Sequence, residues 1–356
     1  MGSVTTYPDI PDADMAQIHE GLPQTHESSV APSILGAMTA KSSLPDRRLA
    51  GIRTAAELKA KGKSAAQITN MARQGTLVRV RRGVYARSDI AAQVLSRPGG
   101  AQSLAAAAEI LSARPGAVAS HQSAACIHGL DLLARPDRDP TASTVTLTRP
   151  PGHNRSGRAG VKVHSAELPA DHVAVIKGMP VTTVARTIVD LARSLEFRAG
   201  VVTADSALRQ CLATKADLHN MLTACARWPG INRATDVVAF ADALAESVLE
   251  SLARVVFRDC GLPPPELQVW VGGAEVVGRV DFLWRQFWTV AEVDGRMKYS
   301  DPSRAVKQLD RDRQLRDAGY EVVHFSWQYI TENRGYVNST IRKAFERGTR
   351  APRPAA

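Results

Sequence analysis

The rhythm of hydrophobic and polar positions changes several times along the chain, and each change marks a segment. Up to about residue 45, Pro, Ser, Thr, Gly and acidic residues follow neither a helical nor an extended period, which predicts a disordered tail over 1–45. A helical period begins at Thr54. Thr54-Ala-Ala-Glu57 and Ser64-Ala-Ala-Gln67 are each a capping box, opening short helices that stop at Gly62 and Gly75. In the second helix Ile68, Met71 and Ala72 share one face, which leaves Gln67, Asn70 and Arg73 on a different, polar face. The period then shortens to two, with Thr76-Leu-Val-Arg-Val-Arg81 and Val84-Tyr-Ala-Arg87 as strands around an Arg82-Gly83 turn. Helix, turn, helix and basic hairpin is the outline of a winged helix, expected over 46–92.

Beyond it, over 93–232, helical and extended signals alternate and predict a mixed α/β domain. Ser120 to Gly129 is a capped short helix, Thr144-Val-Thr-Leu-Thr148 a strand, and Val181 to Ala192 begins extended and becomes helical. Arg149 to Arg158, with its prolines and glycines, is a basic loop. A further unit is expected over 236–348. Its first helix starts near Ala241 and runs through Glu246, Glu250 and Arg254 to Asp259, where Gly261 and Pro263 to Pro265 stop it. Strands follow at about 266–271, 276–284 and 288–294. Asp301-Pro302 opens a second long helix that closes at Gly319, Tyr320 to Trp327 is a strand, and a helix ends the unit.

A chain of 356 residues with 44% hydrophobic and 22% charged residues has room for more than one ordinary core. Its net charge of +10 is unevenly spread, because Asp9, Asp12, Asp14, Glu20 and Glu27 face Lys41 alone in the tail. The body is therefore the basic part, and such a surplus attracts nucleic acid. Cys126, Cys211, Cys225 and Cys260 show no metal-ligand spacing and read as free thiols of a reducing compartment. No stretch has the length of a membrane span and no leader pattern opens the chain, so a cytoplasmic protein is expected.

Acids interrupt two apolar strands of the last unit: Asp281 in Gly278-Arg-Val-Asp281-Phe-Leu-Trp, and Glu292 and Asp294 in Thr289-Val-Ala-Glu292-Val-Asp294-Gly295. Unpaired, such charges cost several kcal/mol on burial, about 2–7 for an uncompensated polar group and more for a charge. If Gln286 and Phe287 form a two-residue hairpin loop, Asp281 lies directly opposite Glu292 with Cβ atoms roughly 5 Å apart. That pair repels unless a cation separates it. Asp294 points to the same face as Glu292, and a patch of three carboxylates suits Mg²⁺ or Mn²⁺, with no His or Cys cluster competing for a softer metal. The competing reading pairs these acids with Arg279, Arg311 or Arg313.

The span 241–330 resembles the PD-(D/E)XK nuclease superfamily, in the branch related to very short patch repair endonucleases. Ser247-Val-Leu-Glu250 resembles its first-helix glutamate, Val280-Asp281-Phe its metal aspartate, Glu292-Val-Asp294-Gly295 its E-x-D-G signature, and Leu315 to Val323 its closing helix-to-strand junction. The resemblance implies a restriction-endonuclease-like α/β domain hydrolysing phosphodiester bonds. Asp281, Glu292 and Asp294 would hold Mg²⁺ (or Mn²⁺), Glu250 would orient water or a second ion, and Lys298 would neutralise charge on the phosphate. Asp294 stands where the superfamily usually has lysine, and His324 where the branch commonly has arginine.

The span 51–190 resembles the AbiEi-like antitoxin family, through Gly75 to Ala86, Ser120 to Leu130 and Pro180 to Asp190. This resemblance implies a cognate toxin beside DNA as partner. The polar helix face and basic hairpin themselves place Arg73, Arg79, Arg81 and Arg82 on phosphates and Gln67 and Asn70 at base edges, against the alternative of a solvated basic edge that resists strand pairing. His121 and His128, seven apart on one helix face, are weighed as a metal pair against satisfied core or capping histidines. The fold expected is thus multidomain α/β: an N-terminal winged helix, a mixed α/β middle domain and a C-terminal restriction-endonuclease-like domain. Two functions fit it. One is a Mg²⁺-dependent DNA endonuclease, and the other an antitoxin-type transcriptional regulator with an inactive nuclease fold.

Overall fold

The structure is a computed structural model that describes residues 51–112, 116–133, 144–152, 159–272, 276–294 and 302–350. The expected tail over 1–45, Gly295, Lys298 and Asp301 lie outside the described residues, as does 153–158 of the basic loop. Three sheets and thirteen α-helices make up a mixed α/β, multidomain chain within the described residues.

The first sheet has the order β1-β3-β2, built from β1 (Ile52–Thr54), β2 (Leu77–Arg81) and β3 (Val84–Arg87). Between its first two strands lie α1 (Ala55–Ala60) and α2 (Ala65–Arg73). Both capping boxes form: Thr54 accepts from Glu57 N and Ser64 from Gln67 N, while the Glu57 and Gln67 side chains return to the cap N–H groups. Ile68 is buried at 3% exposure, and Gly83 turns the hairpin at φ 78°. The sequence pattern missed β1, whose three residues are too few to show a period. It exists because its backbone pairs with β3, Ile52 opposite Ala86.

Helices α3 (Ser88–Leu95) and α4 (Gly100–Ser112) lead to the second sheet, of order β6-β5-β4-β8-β7. Its elements are β4 (Val118–Ala119), α5 (His121–His128), β5 (Val145–Arg149), β6 (Val161–Ser165), β7 (Val173–Ile176) and β8 (Met179–Thr182). Four helices follow: α6 (Val184–Ser194), α7 (Phe197–Arg209), α8 (Lys215–Ala224) and α9 (Ile231–Phe240). Their apolar faces close one core around Ile188, Leu191, Val201, Leu218 and Val237. Helix α9 crosses the interval 232–236 at which the sequence reading divides the chain.

The next helix, α10 (Val248–Asp259), starts seven residues later than the expected Ala241. Local chemistry sets that start: the Ser247 hydroxyl accepts from Glu250 N at 3.1 Å, and the Glu250 carboxylate reaches back to Glu246 N at 2.8 Å. The third sheet, β12-β11-β10-β9, comprises β9 (Glu266–Gly272), β10 (Val276–Trp284), β11 (Thr289–Asp294) and β12 (Glu321–Ser326). Neighbours pair antiparallel except β11 with β12, which run parallel through α11 (Pro302–Asp317). Helices α12 (Trp327–Glu332) and α13 (Arg334–Arg350) complete the unit. Phe257, Phe282, Trp284 and Phe345 meet edge-to-face at its centre, and Trp284 Nε1 donates to Pro263 O at 2.7 Å.

The middle and C-terminal units share this packing. Val202 of α7 joins the C-terminal core, Val255 of α10 joins the middle core, and buried Arg254 donates to Asp205 at 2.8 Å and to Phe240 O at 2.7 Å.

Candidate functional site

The β10–β11 hairpin closes through a turn of 3₁₀-helix at Arg285–Phe287 and Trp288 at φ 48°, not through two residues. Because the loop extends by one residue at each end, the register is unchanged: Phe282 faces Ala291, Leu283 faces Val290 and Trp284 faces Thr289. One step further along lie Asp281 and Glu292. There the ladder gives way to a side chain, since the Asp281 carboxylate accepts from Val293 N at 3.1 Å.

Each expected metal carboxylate has a protein partner. Asp281 accepts from Gln268 Nε2 at 3.2 Å through its other oxygen. The same amide donates to Glu250 at 2.9 Å, so Gln268, held at φ 52°, bridges two acids. Glu292 is 3% exposed, and Arg311 lies 2.7 Å from its Oε1 and donates to its Oε2 at 3.0 Å. Gln308 donates to Oε2 as well, at 3.0 Å. Asp294 faces His324 Nδ1 at 3.4 Å, and His324 Nε2 lies 2.8 Å from Asp312. Arg279, the other arginine weighed, bridges instead to Glu246 at 2.7 Å, and Arg313 to Asp310 at 3.7 Å.

Protonation follows from this packing. Burial pushes the carboxyls of Glu250 and Glu292 above the usual range; Asp281 adds to both shifts, and Arg311 opposes that of Glu292. At His324 burial works against the charged form, but Asp294 and Asp312 outweigh it and raise the imidazole.

The arrangement does not fit a divalent ion as it stands. Glu292 Oε2 and both Asp281 oxygens accept from N–H donors, Glu292 Oε1 is buried beside the Arg311 guanidinium, and Arg311 supplies the neutralising charge. Among the described residues no group of three His, Cys, Asp or Glu side chains is placed to hold a metal. Of these partners the sequence reading weighs Arg311 but not Gln308, Asp312 or Gln268. For Gln308 and Asp312 the signal is present, since Gln308, Arg311, Asp312 and Leu315 repeat at i, i+3, i+4 and i+7, one face of α11.

At the other end of the chain, Asn70 and Arg73 are exposed on α2, and Arg79 and Arg82 on the hairpin. Gln67 is exposed too, and its carboxamide oxygen is held by Ser64 N at 2.8 Å, a bond that does not involve its NH₂ group. Arg81 differs from the expectation. It pairs with the buried Glu109 of α4 and fastens the hairpin to the rest of the chain. Lys59, Lys61 and Lys63, which the sequence reading passed over, are exposed beside the helix pair. The two histidines weighed as a metal pair go separate ways: His128 Nε2 meets Thr182 O at 2.7 Å, and His121 stacks on His164.

The family models that match bear on the first two units. Residues 46–88 match the family model of a transcriptional regulator, AbiEi antitoxin, and residues 116–248 match that of the AbiEi antitoxin C-terminal domain. Residues 46–88 and 116–248 are therefore similar to AbiEi antitoxin domains. Neither match extends beyond residue 248, so neither reaches the carboxylate strands. Two uncharacterized proteins of Mycobacterium tuberculosis, from strains CDC 1551 / Oshkosh and ATCC 25618 / H37Rv, are each 29% identical over 287 residues, covering 80% of this chain and 98% of the relative. No helix among the described residues is long and apolar enough to cross a membrane.

Proposed function

We propose that the protein is a DNA-binding transcriptional regulator of the antitoxin type, in which the C-terminal unit keeps a nuclease-like outline without hydrolytic function. The N-terminal strand, helix pair and hairpin act as a winged helix over 46–92. Its α2 enters the major groove, Asn70 and the Gln67 NH₂ group meet base edges, and Arg73, Arg79 and Arg82 contact phosphates. The middle unit, and the C-terminal unit packed on it, serve a cognate toxin or a second stretch of DNA.

The observation that carries the non-hydrolytic reading is the Arg311–Glu292 pair, which supplies within the protein the cation that a metal would bring. The opposing reading, Mg²⁺-dependent cleavage by Asp281, Glu292 and Asp294 with Glu250 and Lys298 in support, makes the contrary forecast in one assay. Purified protein is incubated with duplex and single-stranded DNA in Mg²⁺, in Mn²⁺ and in chelator. Retention of intact duplex under all three conditions is the expected result. Metal-dependent cleavage that E292Q abolishes would establish the endonuclease instead.

A further inference from the structure

Strands β5 and β6 run parallel, with Thr146 beside Lys162 and Thr148 beside His164. Directly opposed residues share a face. The alternation that sends Val145, Leu147 and Val161 into a core with Ala106 and Ala117 therefore lines the opposite face with Thr146, Thr148, Lys162 and His164. That polar face is covered: Thr146 is 4% exposed and Thr148 0%. His121, the first residue of α5, stacks on His164 with ring centroids 3.7 Å apart and planes 13° from parallel. Its backbone sits at φ 50°, a conformation that costs a non-glycine residue free energy and clusters at ligand sites.

Helix α6 contributes the charges. Arg186 and Arg193 act on His121, and Asp190 and Arg193 on His164. Asp190 is already committed, to Arg186 Nε at 2.9 Å and Arg193 Nη2 at 3.4 Å. Arg186 also donates to Glu167 O, meets His172 Nδ1 at 2.8 Å, and lies with its guanidinium carbon 4.1 Å from the Trp228 ring centroid. Even so, Arg186 Nη2, Arg193 Nε and Thr148 Oγ1 are buried with no hydrogen-bond partner. A stacked ring meets the face of a guanidinium and leaves its in-plane N–H groups unsatisfied. Arg186 and Arg193 share Asp190 and the Trp228 ring, and Thr148 lies beside His164 in the β5–β6 register, so buried donors left unsatisfied on these residues call for an acceptor.

The charge count states what kind. Burial, joined by the neighbouring cations, lowers both imidazoles to about 3, so they are neutral at ordinary pH. Lys162, Arg186 and Arg193 then outweigh Asp190 by two positive charges. A carboxylate would cancel one of them, a phosphoryl dianion both, and its oxygens accept from several directions at once. Exposed Lys162, half-buried His164 and Arg193, whose side chain is 16% exposed, open the cluster to solvent, with Arg186 behind them. We propose that this cluster is a binding site for a phosphoryl dianion, inorganic phosphate or a phosphate monoester, held by Arg186, Arg193, Thr148 and Lys162 with the stacked histidines along one side.

The test is calorimetric titration of the full-length chain with inorganic phosphate and with adenosine monophosphate at fixed ionic strength, alongside NMR of the histidine ring resonances. Saturable binding that shifts the His121 and His164 resonances is expected. T148V, which removes a hydroxyl with little change of shape, and R193Q should each weaken it about tenfold or more, with T148V melting like the wild type. Tighter binding of the nucleotide would identify a monoester as the occupant, and tighter binding of inorganic phosphate the free ion. Absence of saturable binding of either probe at millimolar concentration, or equal affinity in T148V and the wild type, would overturn the proposal.

Discussion

Arg311 on α11 and Glu292 on β11 face each other across the packed surface of the third sheet, 2.7 Å apart at their closest atoms. Removing the guanidinium leaves a carboxylate that is 3% exposed with Gln308 as its remaining side-chain donor. We expect R311Q to cost roughly 3 kcal/mol, the low end of the effect of breaking a buried pair, because the Arg311 side chain is itself 26% exposed. Urea unfolding measures it, and the double variant E292Q/R311Q should recover most of the loss. The same pair forecasts a metal response. Wild-type melting should ignore Mg²⁺ and Mn²⁺, whereas R311Q, with its acids uncovered, should be raised by them.

Asp281 raises the carboxyls of both Glu250 and Glu292, so it is a source of like-charge repulsion. Asparagine keeps an acceptor for Val293 N and removes the charge. D281N should melt at the wild-type temperature or slightly above it. A fall comparable with that of R311Q would mean that Asp281 carries an attractive pairing of its own.

Replacement of Arg82 should weaken binding to all duplexes alike and flatten the salt dependence, whereas N70A should change preference among sequences. Fluorescence anisotropy across a salt series, on a panel of duplexes, separates the two. R81Q should act mainly on stability, through Glu109. Loss of DNA affinity in R81Q without any change in melting would return that arginine to the interface.

The two ends of the pH scale should favour different units. In the C-terminal unit Glu250, Glu292 and His324 all have raised folded pKa values. The native state binds more protons than the unfolded one there, so the contribution to stability is complete below the unfolded values and is lost as pH rises through the folded ones. In the middle unit His121 and His164 fall from 6.5 to about 3, so their contribution is full above 6.5 and declines as pH drops toward 3. Hydrogen exchange resolved by residue should therefore show protection in β10–β12 rising on mild acidification while protection in β4–β6 falls. Parallel trends in the two units would contradict the assigned environments.

Much of the fold was legible because its information is local. Cap residues and their partners lie three positions apart, and strand alternation sets which face is apolar, so the helix pair, the basic hairpin and the β10–β11 register followed from neighbouring residues. The three-residue β1 did not, since nothing within Ile52–Thr54 distinguishes it until β3 pairs with it. The carboxylates Asp281, Glu292 and Asp294 were recognisable as charges needing compensation, and their positions along the strands were right. What compensates them was a tertiary matter. Arg311 reaches Glu292 only because Leu315, one turn further along α11, joins the core of Val280, Leu283 and Val290 and seats that face of the helix on the sheet. His121 and His164 likewise meet only because α5 packs on β5, whose parallel neighbour is β6. A charge in a strand states its demand locally, but the group that answers it arrives by chain closure over many residues, and hydrophobic packing decides which one arrives.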